Sequence, residues 1–385
     1  MQLPTCPHQD KAFFTLLEQY PQLDDRDNRG KTHSLPLVLM GVVMALLAGR
    51  DGNLSAIQRH MKNQFQALCL TLSLQANRVI SRAQLLRLLA RVNYPLLARL
   101  IHQHYGLTLP ESFADWLSGD GKELRGSIAK GQQRGEVLVS IIAQSSEAVV
   151  IQTYYNGTKE SERPAIVNLL TDNELLKRKV VLDALHLVPA LLDAIHHQTG
   201  TYLVGLKANQ HLLHRLCLIQ TLLHKPVFER VDAPVRAHGR IEDRTYGCYS
   251  LAGLAKAKRW AKLGLTTVVV VRRVGRTLAG VETGQTVSYF VTNGSVTSQS
   301  EADRFYDAIR GHWGIETMHH RRDVVFSEDD LLSKFSQLQR TLSTLRTLTL
   351  SLLHSLKPQN MAAQLDDFSD HVQELIDFLR LKRVL

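Results

Sequence analysis

The sequence predicts an α/β protein whose mixed sheet is flanked by helices. Three observations support this prediction. Helical periodicity dominates residues 11–112, β-branched runs alternate with helical segments over residues 136–225, and a strand-rich stretch covers residues 226–293. Hydrophobic spacing near 3.6 residues indicates helix, and strict alternation indicates strand. We therefore expect a helical N-terminal region, a split α/β core and a β-rich insertion within that core.

Four helices are predicted in the N-terminal region, over residues 11–20, 35–48, 54–62 and 81–105. In the last of these, apolar residues recur at the spacing of a buried helix face. The apolar run over residues 35–48 contains a proline and a glycine and is shorter than a membrane span. We therefore predict that this run is a buried core helix.

The α/β core is predicted over residues 113–225. A strand-like run that ends at Asp120 comes first, and β-branched runs over residues 136–143 and 147–154 then indicate a hairpin. The remaining elements are predicted in the order helix, strand, helix, strand, helix, over residues 161–170, 178–182, 188–198, 202–206 and 210–223. This order is the layout of an RNase-H-like core, in which a mixed sheet has helices on both faces.

Residues 226–298 are predicted to form the β-rich insertion, which precedes the helix that carries Glu316. Its strands are expected over residues 240–250, 266–273 and 286–292, and helical periodicity returns from Ser300. The predicted divisions of the chain are a helical N-terminal domain (1–112), a first part of the core (113–225), the insertion (226–298), a second part of the core (299–356) and a C-terminal helical tail (357–385).

The composition favours a globular protein with a polyanionic partner. Hydrophobic residues make up 44% of the chain and charged residues 21%, which is ordinary for a globular domain. The formal net charge of +10 attracts nucleic acid through its field and through counterion release. Solubility alone is the alternative explanation for a modest excess of Lys and Arg.

The cysteines argue against two classes of site. Cys6, Cys69, Cys217 and Cys248 are widely scattered and form no Cys-x-x-Cys pair, so neither a zinc site nor a disulfide framework is predicted. The N-terminus shows no basic leader followed by an apolar segment. We therefore expect free thiols in a reducing compartment, and a cytoplasmic, nucleoid-associated protein.

Three acidic residues have distinctive settings. Asp120 lies between two glycines, Asp183 follows an apolar strand, and Glu316 lies on a late helix. Carboxylates that meet in this way bind hard cations such as Mg²⁺, and two such ions can catalyse phosphoryl transfer. Each residue also has a purely structural interpretation, respectively as a turn aspartate, a helix cap and an exposed helix charge.

An ordered set of motifs resembles one known family. The motifs are Asp-Gly-Lys-x-Leu-Arg-Gly-Ser at 120–127, Leu-Lys-x-Asn-Gln at 206–210, His-Gly-Arg-Ile-Glu at 238–242 and Arg-Gly-His-Trp-Gly-Ile-Glu at 310–316. In this order they resemble the H-repeat-associated family of DDE transposases, which belong to bacterial insertion sequences. The segment Asp-Arg-x-x-Arg-Gly-Lys-x-His at 25–33 resembles the helical domain associated with these enzymes.

The resemblance implies an RNase-H-like fold and a metal-binding triad of Asp120, Asp183 and Glu316, with two Mg²⁺ or Mn²⁺ ions as cofactor. It also implies DNA contact or active-site support at the end of the last core strand, by Lys207, Asn209 and Gln210. The family signature around the glutamate is carried here by Arg310, His312 and Trp313. A dimer or higher oligomer on DNA is implied as well.

Further candidate DNA contacts lie close to these motifs. Lys122 and Arg125 follow the first aspartate and are candidates to neutralise the scissile phosphate. His319 and His320 follow Glu316 and are candidates for phosphate contact, since hard Mg²⁺ prefers oxygen ligands. The other candidates are His238, Arg240, Arg26, Arg29 and Lys31.

Structural interpretations stand beside these assignments. The charges that alternate over residues 238–244 also suit cross-strand pairing, and the basic run over residues 319–322 also suits a solvated helix face. Trp313 is interpreted as a core residue, with a base-stacking platform as the alternative. The acidic cluster of Asp323 and residues 328–330 is interpreted as a solvated approach to a helix or a cap.

The sequence therefore predicts a transposase that cleaves the ends of an insertion sequence and transfers the 3′ ends to target DNA by two-metal phosphoryl transfer. Its partners would be the terminal repeats and the target DNA, with no membrane involved. A transposase-derived DNA-binding protein and a metal-dependent nuclease that no longer transposes are the alternatives.

Overall fold

The computed structural model describes residues 11–27, 29, 31–76, 78–105, 109, 112–156, 162–237, 239–251 and 259–385. Its N-terminal region contains the helices α1 (Phe13–Glu18), α2 (Leu35–Leu47), α3 (Leu54–Thr71), α4 (Arg82–Leu89) and α5 (Tyr94–His104). The single helix predicted over residues 81–105 is wrong, because the chain breaks between α4 and α5. Asn93 caps α5 by accepting from the Leu96 amide, and Pro95 occupies the first turn, where its missing N–H costs nothing.

The α/β core contains the strands β1 (Trp116–Glu123), β2 (Glu136–Ala143), β3 (Ala148–Asn156), β4 (Lys179–Leu182) and β5 (Thr201–Leu206). Its helices are α6 (Glu162–Asp172), α7 (Pro189–His197) and α8 (His211–Leu223). The strand order is β3-β2-β1-β4-β5. Neighbours in β3-β2-β1 are antiparallel, whereas β4 is parallel to β1 and to β5. The predicted RNase-H-like mixed sheet is confirmed; the start of the helix predicted at residue 161 lies outside the described residues.

The insertion contains the strands β6 (Phe228–Val231), β7 (Val235–Ala237), β8 (Arg240–Ser250), β9 (Thr267–Thr277) and β10 (Glu282–Thr292). It does not form a separate sheet. β10 pairs antiparallel with β5, and β9, β8 and β6 follow in order, so the core and the insertion form one sheet of ten strands. Most of the valines of β9 are buried within the protein.

The C-terminal region contains the helices α9 (Gln299–Gly311), α10 (Trp313–Val324), α11 (Ser336–His354), α12 (Met361–Asp370) and α13 (Val372–Leu381). The last four share a hydrophobic core with the N-terminal helices. The chain ends are also joined through the backbone, since the amides of Phe13 and Phe14 donate to the carbonyls of Arg383 and Val384 at 2.7 and 3.0 Å. The predicted divisions 1–112 and 357–385 therefore contribute to one core.

Two further observations concern the described residues alone. Cys69, Cys217 and Cys248 are free and buried, whereas Cys6 lies outside the described part of the chain. Within that part, no helix combines the length and the apolar character needed to cross a membrane.

Candidate active site

Asp120 and Asp183 lie on neighbouring parallel strands. Gly119 of β1 is paired with Leu182 of β4, so the next residue on each strand is Asp120 and Asp183 respectively. Neighbouring strands lie about 4.8 Å apart, which places the two residues side by side. Asp120 lies inside β1, so both its interpretation as a turn residue and the expectation that it ends a strand are wrong.

Glu316 approaches this pair from α10. The pKa of its carboxyl is raised, first by desolvation and then by the Asp120 carboxylate, with a smaller contribution from Asp183. His319 and Arg273 act in the opposite direction. Both aspartates therefore disfavour the ionised form of Glu316.

His319 faces Asp120, and its buried ring places Nδ1 3.5 Å from Oδ2 of the carboxylate. Burial raises the pKa of Asp120, but the hydrogen bond and the charge of His319 outweigh burial and leave the pKa below its usual value. His312 is buried beside the same carboxylates, and burial lowers its pKa while Asp120 and Asp183 act in the opposite direction. Neither buried ring offers the open surface expected of a phosphate contact, so both assignments to DNA are corrected.

Asp183 has a structural role as well as a place in the site. Its Oδ1 accepts a hydrogen bond from the Leu185 amide at 3.0 Å, so it caps the short 3-10 helix Ala184–His186. The side chain still keeps 40% of its surface exposed. The predicted cap is therefore present, and it leaves the carboxylate accessible to a cation.

A fourth carboxylate reaches the site through His186. The buried His186 places Nε2 3.7 Å from Oδ1 of Asp183 and 3.3 Å from Oε1 of Glu162. Gly121 makes room for Glu162, because a Cβ at that position would lie 2.9 Å from the Glu162 carboxyl carbon. Glu162 and His186 thus support Asp183 from the side of the sheet opposite to Asp120, since successive side chains of a strand alternate.

Lys122 is not free to contact DNA. Only 7% of the residue is exposed, and its ammonium lies 2.7 Å from Asp323, 3.1 Å from Asp329 and 3.6 Å from Glu328. Its assignment to the scissile phosphate is therefore corrected, since three carboxylates already surround its charge. Arg125 keeps 78% of its side chain exposed, although it lies 3.8 Å from Asp329.

The interpretation of the acidic cluster as a solvated approach to a helix is wrong at Glu328, whereas Asp330 is exposed. Glu328 is completely buried and accepts two hydrogen bonds from Arg322, which is also completely buried. The interpretation of residues 319–322 as a solvated basic face is therefore wrong at His319 and Arg322, whereas His320 is exposed. Arg322 and Glu328, one from each cluster, therefore neutralise each other inside the protein.

Trp313 is not a core residue, because 37% of it is exposed. The guanidinium groups of Arg244 on β8 and Arg273 on β9 lie 4.8 and 4.3 Å from the centre of its ring. Arg244 also pairs with Glu242, but both residues lie on β8, so this contact is not the cross-strand pair that the structural interpretation expected. Arg240 at the start of β8 is exposed, and His238 lies outside the described residues.

The remaining candidates for DNA contact differ in how much of each side chain is exposed. Arg26 pairs with Asp24 at 2.8 Å and donates to the His33 carbonyl, and its side chain is only 11% exposed, so its assignment to DNA is corrected. Arg29 is 97% exposed. Arg310 pairs with Asp232 at 3.0 Å and is about half exposed. The other candidates are exposed or partly exposed: Lys31, Lys207, Asn209 and Gln210.

The donor set fits a hard divalent cation, since Asp120, Asp183 and Glu316 all offer carboxylate oxygens. The structure does not gather all three as closely as a compact ligand group. Within the described ranges, the one group of three side chains whose ligand atoms all lie within 4.8 Å of one another is the exposed trio Asp367, His371 and Glu374. Three like charges repel one another, so some separation of the site carboxylates is expected.

Sequence reasoning missed three residues of this site. His186 stands three positions after Asp183, a spacing that places two residues on one helix face, so this signal was available. Glu162 and Arg273 gave no comparable signal, because α6 and β9 bring them from distant parts of the sequence.

The sheet order defines an α/β protein with an RNase-H-like sheet, and Asp120, Asp183 and Glu316 come from β1, from the position after β4 and from α10. The chain is also similar in sequence to curated proteins. The chain is 27% identical to "Putative protein YbfL" and 26% identical to "H repeat-associated putative transposase YhhI" of Escherichia coli K12, over 245 residues in each case. It is 24% identical over 281 residues to "Putative transposase YncI" of Escherichia coli O157:H7. The predicted resemblance to H-repeat-associated transposases is thus confirmed at modest identity.

The extent of these matches is limited. Those to YbfL and YhhI cover 62% of this chain and 64% of each relative, and that to YncI covers 68% and 70%. No family model matches the chain. A solved structure of piggyBac transposase in a synaptic complex with hairpin DNA aligns with 96% of this chain and 77% of its own, at 10% identity and a TM-score of 0.43.

Proposed function

We propose that this protein is an insertion-sequence transposase that cleaves DNA at the element ends and transfers the 3′ ends to target DNA. The proposal is supported by the side-by-side placement of Asp120 and Asp183 and by the position of Glu316 on α10, where both aspartates raise the pKa of its carboxyl. The homologues that bear the name transposase support the same reaction class.

Asp120, Asp183 and Glu316 would together hold two Mg²⁺ or Mn²⁺ ions. When bound, such ions activate a water or a 3′-hydroxyl and stabilise the leaving oxygen. The protein's own contribution is to keep the ligands charged and in place. His319 favours the ionised form of Asp120, and His186 holds Asp183.

DNA is the proposed substrate because the chain carries a formal net charge of +10 and exposed basic side chains remain after the buried pairs are removed. The exposed candidates are Arg125, Lys207, Arg240, His320 and Arg29, and Lys31 is partly exposed. Such contacts to phosphate position the backbone and carry no sequence information. No side chain is required as a covalent nucleophile, because hydrolysis and strand transfer use the same metal-bound centre.

The experiment compares the wild type with Asp183→Asn in a gel shift and in a Mg²⁺-dependent nicking assay on DNA that carries the element ends. The amide keeps the shape of the side chain but loses its charge, so cleavage should fall by at least about 10²-fold while DNA binding persists. Asp193→Asn is the matched control, because Asp193 lies on α7 and pairs with His197.

Three outcomes contradict the proposal. A wild type that binds the ends but cuts with neither Mg²⁺ nor Mn²⁺ supports a transposase-derived DNA-binding protein. Cleavage that ends in hydrolysis, with no joining of 3′ ends to target DNA, supports a nuclease. Asp183→Asn cutting as fast as wild type shows that the triad is assigned wrongly.

A further inference from the structure

Two contacts of matching spacing join β1 to α10. Asp120 meets His319, with 3.5 Å between Oδ2 and Nδ1, and Lys122 meets Asp323, with 2.7 Å between Nζ and Oδ1. Two residues of a strand span about 6.6 Å, and four residues of a helix span about 6 Å. The helix therefore runs alongside the strand, and the two contacts fix its position along that strand.

Glu316 lies on the same side of α10 as these contacts. Residues 316, 319 and 323 are separated by three and four positions, which is the spacing of one helix face. A shift or rotation of α10 that breaks the contact of Asp323 would therefore also displace Glu316 relative to Asp120.

Lys122 contacts the turn after α10 as well as the end of α10 itself. Its ammonium also lies 3.1 Å from Asp329 and 3.6 Å from Glu328, in the turn that follows α10. Glu328 is bound in turn by Arg322, and Arg346 of α11 lies 3.8 Å from it. One buried cation on β1 thus connects the strand to a framework anchored in the helical core.

We propose that Lys122 is a positioning residue that sets the place of Glu316 relative to Asp120. This inference rests on the proposed function, because it assigns Glu316 to the metal-binding centre. Removal of the ammonium leaves three neighbouring carboxylates without their shared cation, and their repulsion drives the end of α10 away from β1. Lys122 acts through Glu316 and does not bind phosphate.

The experiment uses the full chain with Lys122→Met, which keeps the length of the side chain and removes its charge. Single-turnover cleavage at saturating DNA should fall roughly 10- to 100-fold, because small displacements of a catalytic group are costly. The salt dependence of DNA binding should not change, whereas loss of a phosphate contact lowers the slope of log K against log salt by about 0.9. Lys130→Met is the matched control, since Lys130 is exposed and makes no ion pair among the described residues.

Two further variants separate positioning from folding. Asp323→Asn removes one partner and leaves Lys122 with Glu328 and Asp329, so it should fold and still cleave more slowly than wild type. In a Glu316→Gln background, Lys122→Met should cause no additional loss of cleavage, although its effect on melting temperature should be unchanged. A merely structural lysine would instead reduce cleavage by the same factor in both backgrounds.

The outcomes that overturn the inference are distinct from those that overturn the function. If folded Lys122→Met or Asp323→Asn cleaves at the wild-type rate, or if Lys122→Met lowers the salt slope, Lys122 does not position Glu316. If the wild type itself never cuts, the proposed function fails. Positioning is then judged by the Mn²⁺ affinity of the free protein, which Lys122→Met should weaken and Lys130→Met should leave unchanged; equal affinities overturn it.

Discussion

Arg322 and Glu328 form a bidentate ion pair in which neither side chain has exposed surface. Nε and an Nη of the arginine donate to the two carboxylate oxygens at 2.8 and 2.7 Å. The other donors of Arg322 bind Thr347 and Ser343. A buried pair stabilises a protein only when its geometry and its remaining hydrogen bonds are satisfied, and here they are.

Glu328→Gln is expected to destabilise the protein at neutral pH. Burial raises the pKa of Glu328, but Arg322 and Arg346 outweigh burial and lower the pKa from 4.5 to about 2. A carboxyl whose pKa is depressed by folding contributes stability above its unfolded pKa, and this contribution, about 3 kcal/mol, is lost as pH falls from 4.5 to about 2. Urea unfolding at several pH values measures it. An unchanged pH dependence in the variant contradicts the assignment.

Asp51→Asn is expected to stabilise the protein, in contrast to Glu328→Gln. Burial raises the pKa of Asp51 from 3.8 to about 6, and its Oδ2 has no hydrogen-bond partner among the described residues. The folded state therefore disfavours the charged form, and stability falls as pH rises from 3.8 to about 6. The neutral amide should stabilise the protein by up to about 3 kcal/mol at pH 8 and by little at pH 3.5. Equal urea midpoints for variant and wild type at pH 8 exclude this effect.

Trp313→Leu is expected to affect cleavage more than stability. The ring supports Arg244 and Arg273, and each exposed cation–π contact contributes about 0.5–1 kcal/mol. Arg273 also lowers the pKa of Glu316, so its displacement disturbs the site. Thermal unfolding and nicking rates measure the two effects, with Trp313→Phe as the aromatic control. Wild-type nicking by the leucine variant rules out a role for this stack.

Arg29→Gln and Arg26→Gln should differ in their effects on DNA binding. Arg29 is 97% exposed, whereas Arg26 is 11% exposed and paired with Asp24. If Arg29 contacts phosphate, its loss reduces the slope of log K against log salt by about 0.9, while the loss of Arg26 lowers stability and leaves the slope unchanged. Salt titrations of DNA binding compare the two. If Arg26→Gln lowers the slope and Arg29→Gln does not, Arg29 is not the DNA contact of the N-terminal region.

Local sequence patterns predicted the elements of the core because β-branched runs and helical spacing are visible within a few residues. Pairing between distant segments is not encoded in such patterns. The pairing of β10 with β5, which merges the insertion with the core sheet, joins segments more than 80 residues apart, as at Tyr289 and Leu206. The break before α5 carried a local signal in Asn93 and Pro95, but the leucine periodicity around it concealed that signal.

The same limit applies to the candidate site. The sequence predicted strand-like runs at Asp120 and before Asp183, although Asp120 lies inside its strand and does not end it, and the parallel pairing of β1 with β4 places the two residues side by side. It could not show which basic residues are neutralised, because the partners of Lys122 lie some 200 positions away, at Asp323 and Asp329. A sequence shows which residues are charged, whereas the partner of each charge depends on the fold.

The central claim is that Asp120, Asp183 and Glu316 bind catalytic metal. Anomalous diffraction from crystals of the protein bound to DNA and soaked in Mn²⁺ tests it most directly. The account predicts Mn²⁺ within about 2.0–2.5 Å of carboxylate oxygens of Asp120, with Asp183 and Glu316 completing the ligand sets. Mn²⁺ found only at the exposed trio Asp367, His371 and Glu374, with none at Asp120, would contradict it.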